Sequence, residues 1–172
     1  MKTWPMWIAG TVVLAAVFHI LTVFALPYGI MNRAMAGIAA QAGGVNKALY
    51  PEPATAATRG IVRPSPDLLY TACVYDVAAR PLRVTAPVPD TYWSLSMFAA
   101  NTDNFFVVND RQAPTGRIEI VLANDETTTA GETPVVVAPS SRGIILFRSL
   151  IASDEARPAI DALRQQSNCE PL

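Results

Sequence analysis

The hydropathy pattern opens with Trp4–Leu26, twenty-three residues without an Asp, Glu, Lys or Arg. As a helix this run is ~34 Å long, enough to cross a hydrocarbon core of ~30 Å with a little tilt. Apolar residues recur on every side, from Ile8, Val12 and Val13 through Phe18 and Leu21 to Phe24, whereas a surface helix keeps one polar face. Trp4 and Trp7 at one end and Tyr28 at the other stand where interfacial aromatic belts are expected. Lys2 and the amino terminus precede the run and no basic residue follows before Arg33, a bias that favours a cytoplasmic N-terminus and an exported C-terminal bulk. Residues 1–28 therefore read as a transmembrane anchor. The rival is a cleaved signal peptide, with Val23 and Ala25 as the small residues before the cut; the apolar run is longer than a usual signal core, which favours the anchor. Both place the remainder outside the cytoplasm.

Pro27 and Gly29 interrupt the run. Ile30 to Gln41 then has Met31, Met35 and Ile38 at spacings that share one helical face, and Gly43-Gly44 stops it. This piece either lies on the bilayer or packs on the domain. With the Pro51/Pro53 stretch it makes residues 29–60 a juxtamembrane helix and linker.

Beyond Gly60 the period changes, and residues 61–172 read as a β-domain. From Val62, Pro64 and Pro66 hold an extended entry, since proline pushes its predecessor towards β. Leu68 to Tyr75 reads as a strand buried on both faces. Leu82 and Val84 alternate with Arg83 and Thr85 in the next. Tyr92 to Ala99 alternates most regularly, with Trp93, Leu95 and Met97 on one face and Ser94 and Ser96 on the other. Asn101–Asn104 is a turn by composition, Phe105–Val108 a short strand, and Ile118, Ile120 and Leu122 mark another. Val135–Val137 and Ile144–Phe147 supply the last two. A short helix closes the chain, with Ser153 as N-cap, Asp154 and Glu155 at its positive end, and Pro158 in the first turn. Short strands between Pro, Gly and Asn turns predict a mainly β fold, an antiparallel sandwich or jelly-roll-like domain, between an N-terminal transmembrane helix and a short C-terminal helix.

Composition narrows the chemistry. A formal net charge of −1 argues against nucleic acid as a partner. The two cysteines, Cys73 and Cys169, invite a disulfide in an oxidising compartment; the alternative is two unrelated thiols, with Cys73 buried as a small apolar residue. The single histidine, His19, lies in the apolar segment, where it reads as a functional suspect or as a neutral imidazole bonded locally. Catalysis by a Ser-His-Asp or Cys-His arrangement within the β-domain is thereby excluded, as are histidine-bearing zinc sites. No Gly-rich phosphate loop or dinucleotide fingerprint is present.

Arg63-Pro64-Ser65-Pro66-Asp67-Leu68-Leu69-Tyr70 resembles the entry motif of the bacterial domain-of-unknown-function 1254 family, roughly Arg-Pro-Asn-x-Asp-Thr-Leu-Tyr. The likeness continues through Asp76, Pro81, Pro89-Asp90, Tyr92-Trp93 and Asn101–Phe105, to about Gln112, with echoes over Val135–Arg148. Leu68 stands where that pattern has Thr, and Ala99 where an acidic residue is common, which counts against carboxylate chemistry. The resemblance implies a β-sandwich-like fold in the cell envelope, one half of the two-domain arrangement of longer relatives, and hence a companion protein supplying the other half. No general activity comes with it.

Two functions follow. The preferred one is a single-pass protein of the bacterial inner membrane whose periplasmic β-domain binds a partner, a companion family member or a second copy, without a cofactor. The alternative is a metal-assisted hydrolase of an anionic small molecule: Asp67, Asp103, Asn104 and Asp110 would converge on Ca²⁺, and Arg63 and Arg111 would hold the substrate. The reading leans away from an enzyme. Arg63, Asp67, Tyr70, Tyr92, Trp93, Asp103, Asn104 and Arg111 form the candidate ligand-binding group, expected near one sheet end. Taken singly, each has a structural reading as a turn residue, local ion pair or core aromatic.

Overall fold

A computed structural model describes residues 3–55, 57–58, 63–113 and 116–172. Lys2, Gly60 and Val62, on which parts of the sequence reading rest, lie outside the described residues. The first helix, α1, runs without a break from Trp4 to Ala42, where the sequence predicts two pieces parted at Pro27 and Gly29. Proline removes one hydrogen bond, that to the Val23 carbonyl, and an apolar helix tolerates this loss. Downstream packing holds the second half: Met31 and Met35 are buried against Val74 and Ile144, with Ile38 and Phe98 alongside. Of the two placements open to this piece, it takes the one on the domain. Gly43, at φ 74°, ends α1 in the left-handed conformation, and the Gly44 N–H bonds back to the Ala39 carbonyl at 2.8 Å.

Among the described residues nine strands follow: β1 (Ala48–Leu49), β2 (Leu68–Asp76), β3 (Leu82–Val88), β4 (Trp93–Ala99), β5 (Asn104–Asn109), β6 (Gly116–Ala123), β7 (Val135–Val137), β8 (Arg142–Leu150) and β9 (Asn168–Pro171). They form a five-stranded sheet in the order β1-β2-β8-β4-β5 and a four-stranded sheet in the order β7-β6-β3-β9. All pairings are antiparallel except β6 with β7. The fold is mainly β: two packed sheets, a long apolar N-terminal helix and a short C-terminal one.

The core lies between the sheets. Cys73, Tyr75, Trp93, Leu95, Met97, Ile145 and Phe147 face Leu82, Val84, Ile118, Ile120 and Leu122. Alternation along each strand puts these side chains on one face. The cysteines meet here in a disulfide, Cys73 on β2 with Cys169 on β9, which joins the two sheets.

The boundaries differ from the sequence reading in three places. Part of the expected linker is sheet: the Asn46 side chain donates to the Asp76 carbonyl at 2.9 Å and accepts from the Asp76 N–H at 2.7 Å, and Ala48 pairs with Cys73. The closing helix, α2, spans Arg157–Arg164, with Ala156 rather than Ser153 at its N-cap. Ser153 instead sets the turn before it, accepting from the Ala156 N–H at 3.3 Å. And β9, four residues with a proline and no alternation, has no hydropathy signature at all.

Candidate functional site

The β5 segment Asn104–Asn109, Asn-Phe-Phe-Val-Val-Asn, contains no charge and no proline. It pairs with β4 on one side, and among the described residues no strand pairs with its other side. Natural sheets blunt such edges with lysine, proline or an inward charge, because unpaired N–H and C=O groups template pairing with another chain. β5 has none of these. A register shift at Met97/Phe98 turns both Phe105 and Phe106 towards the core, and Phe105 stands edge-on to Tyr75 at 6.3 Å. Val107 is left on the opposite face, 58% exposed.

Polar groups bound the edge at both ends. The Asn101–Asp103 turn precedes it: the Asn101 amide donates to Asp103 Oδ2 at 2.6 Å, the Asp103 N–H donates to Asn101 Oδ1 at 3.2 Å, and Thr102 has φ 75°. At the far end Tyr92, Asn109, Asp110 and Arg111 line a cleft of about 410 Å³. Asp110 fixes its wall, accepting from the Trp93 N–H at 3.3 Å through Oδ1 and donating its own N–H to the Trp93 carbonyl at 3.0 Å. The Arg111 N–H donates to Asn109 Oδ1 at 3.0 Å. Tyr92, half exposed, donates to Ser94 Oγ at 3.3 Å.

The structure splits the candidate group. Tyr92 and Arg111 meet at one end of β5, and Asp103 and Asn104 lie at the other, a strand of six residues or ~20 Å away. Arg63, Asp67 and Tyr70 lie at the β2 side, with β8 and β4 between them and β5, about three interstrand spacings or ~14 Å. There the Ser65 N–H donates to the Tyr70 hydroxyl at 2.9 Å and the Asp67 N–H to Ser65 Oγ at 3.3 Å, a local turn. Trp93 is 1% exposed and packs on Phe147, so it is core. The four oxygen ligands proposed for Ca²⁺ are therefore not convergent, and among the described residues no group of three or more His, Cys, Asp or Glu could hold a metal.

One residue escaped the sequence reading. Arg148, on the outward face of β8, donates to Ser96 Oγ at 3.0 Å and pairs with no carboxylate among the described residues. Its bond helps cover Ser96, which is why β4 is buried on both faces despite its alternation. The signal was there: Ile144, Leu146 and Arg148 share one parity.

Residues 45–171 match the family described as "Protein of unknown function (DUF1254)". The chain belongs to the DUF1254 family. The match begins at the turn after α1, so the DUF1254 region comprises both sheets and α2. No curated protein matches the sequence. Two solved structures share the fold. One is the VPA0106 protein from Vibrio parahaemolyticus, 20% identical, with a TM-score of 0.62 over 87% of this chain and 36% of that one. The other is an uncharacterised protein from Burkholderia cenocepacia, also 20% identical, with a TM-score of 0.52 over 80% of this chain and 37% of that one. The chain thus spans little more than a third of the length of either.

Proposed function

We propose that the chain is a single-pass protein of the bacterial inner membrane whose DUF1254 domain, in the periplasm, docks a strand of a partner protein on the β5 edge. The observation that carries this reading is an uncharged, proline-free edge strand with an exposed valine at its middle, the template that β-augmentation uses. Three further features support it. The Cys73–Cys169 bridge suits an oxidising compartment. α1 carries its apolar run straight into helix that packs on the domain, as a retained anchor would. In the two solved neighbours the region similar to this chain is little more than a third of the whole, and a companion family member is a fitting source of comparable surroundings for this domain.

A second copy fits less well than a companion. Antiparallel pairing of β5 with its own symmetry mate requires a twofold axis normal to the sheet. α1 lies along that sheet through Met31, Met35 and Ile38, so the twofold would send the two helices in opposite directions, away from a common bilayer. The metal-assisted hydrolase has no comparable observation behind it.

The test is co-purification of the full chain from native membranes in mild detergent, with a photo-crosslinking residue in place of Asn104, exposed on the same strand as Val107. The expected result is one dominant crosslinked partner, lost in Val107→Lys. Recovery as a lone monodisperse monomer, or a partner retained by Val107→Lys, overturns the reading.

A further inference from the structure

Between α1, the outward face of the five-stranded sheet and the segment after β1 lies a cavity of about 480 Å³, within the ~300–1,000 Å³ of small-molecule pockets. Ala34, Gly37 and Ile38 form its helical wall, and Tyr70, Ala72 and Leu146 its floor. Among the described residues Arg33 and Glu52 bring the only charges to the lining, one of each sign. Small residues hollow the wall: a Cβ added at Gly37 would meet nothing within 4 Å.

The location identifies an occupant. Arg33 is seven residues past Leu26, ~10 Å along the helix, and a headgroup layer is ~5–8 Å deep. The cavity therefore opens where the bilayer ends. Its wall continues the lipid-facing surface of α1 without a break, since Trp4–Ala42 is one helix. We propose that this groove holds an acyl chain of a bilayer lipid, lifted from the leaflet to which α1 is anchored. The inference rests on the membrane placement proposed above. An apolar chain is the body that matches this predominantly apolar lining. It would also shield the floor residue Leu146, which β1 and α1 leave half-buried.

The experiment uses the full chain in vesicles of phosphatidylethanolamine and phosphatidylglycerol doped with phosphatidylglycerol bearing a diazirine on its acyl chain. After photolysis, labelled peptides are mapped. Label is expected on Trp7–Phe24, the internal control, and also on Ala34–Gln41 and Tyr70–Ala72. Gly37→Leu, which fills the groove, lowers the second set about tenfold and leaves the first unchanged, whereas Gly37→Ala leaves both. An unchanged melting temperature in Gly37→Leu establishes that the variant is folded; if it falls, Leu146→Trp plugs the floor instead. Label confined to Trp7–Phe24, or insensitive to both fillings, overturns the proposal and points to the chain's own residues or a partner as the occupant. Absence of label on Trp7–Phe24 overturns the membrane placement itself, and this inference with it.

Discussion

The guanidinium of Arg164 donates to the Tyr70 carbonyl oxygen at 2.5 Å, bonding α2 to β2 across 94 residues of sequence. The same side chain donates to the Pro51 carbonyl at 3.0 Å and to Asp161 Oδ1 at 2.6 Å, and the residue is 6% exposed. One arginine thus joins three segments that share no sheet. Its planar fork suits this work, whereas a lysine offers a single point of charge. Arg164→Met leaves two carbonyl oxygens and a carboxylate short of a donor. Asp161 is about a third exposed, which discounts its part, so the expected loss is ~3 kcal/mol. Arg164→Lys falls between. Chemical unfolding of the full chain in mild detergent measures both; a midpoint unchanged in Arg164→Met refutes the assignment.

Tyr75 gives the domain an alkaline weakness. Burial raises its phenol above the ordinary value of 10.0, and the nearby Ser140 hydroxyl offsets only part of the shift. Ser140 is already committed, accepting from the Ala100 N–H and donating to the Arg142 carbonyl. Tyr50 is raised too, by burial first and against the pull of Arg164. A raised folded value means that the folded state holds its proton longer. The contribution is complete below pH 10.0 and is lost as pH climbs through the folded value. Melting temperature is expected to fall steadily above about pH 10, and less steeply in Tyr75→Phe, which leaves only Tyr50. Equal slopes in the two proteins would remove Tyr75 from this account.

What the sequence revealed followed from periodicity. Strands with alternation or a dense apolar run, such as β2, β4 and β6, were legible to within a residue or two. β9 was not, because Asn-Cys-Glu-Pro has neither pattern and is recruited by pairing with β3 and by the disulfide. The unity of α1 was hidden for the opposite reason: Pro27 is a strong local signal, and distant packing of Met31 and Met35 overrides it. For the candidate site, residue type was readable and position was not. Tyr92, Asp103, Asn104 and Arg111 do flank one strand, but strand order places Arg63, Asp67 and Tyr70 three strands away. Sequence proximity gives no warning that β8 inserts between β2 and β4.

The bridge between Cys73 and Cys169 closes a loop with a sequence separation of 96. In the chain-entropy account a loop of that size stabilises by about 4–5 kcal/mol through the unfolded state. Cys73→Ala with Cys169→Ala is expected to lose most of this. The double variant should still bind whatever docks at β5, because neither cysteine lies near that edge. Unfolding with and without reductant measures the first point; a reduced wild type as stable as the oxidised one rules it out.

The last prediction concerns where the folding unit begins. The family match opens at Val45, past the end of α1, so the homologous region on its own would be taken as a self-sufficient domain. The packing argues otherwise. Met31 and Met35 are 6% and 5% exposed, and they cover Val74 and Ile144 on the outward face of the five-stranded sheet. Burying two methionine side chains contributes ~3–6 kcal/mol at the usual transfer scale, a large share of a domain's ~5–15 kcal/mol. A chain beginning at Ile30, exported so that the disulfide forms, keeps this cover while omitting the apolar run. It is expected to be monodisperse and cooperative in unfolding. A chain beginning at Val45 loses the cover, bares an apolar face and is expected to aggregate or to melt well below the longer one. Size-exclusion chromatography and thermal unfolding of the pair decide it: equal stability would mean that the C-terminal half of α1 merely rests on the sheet, whereas the expected difference makes it part of the domain's core.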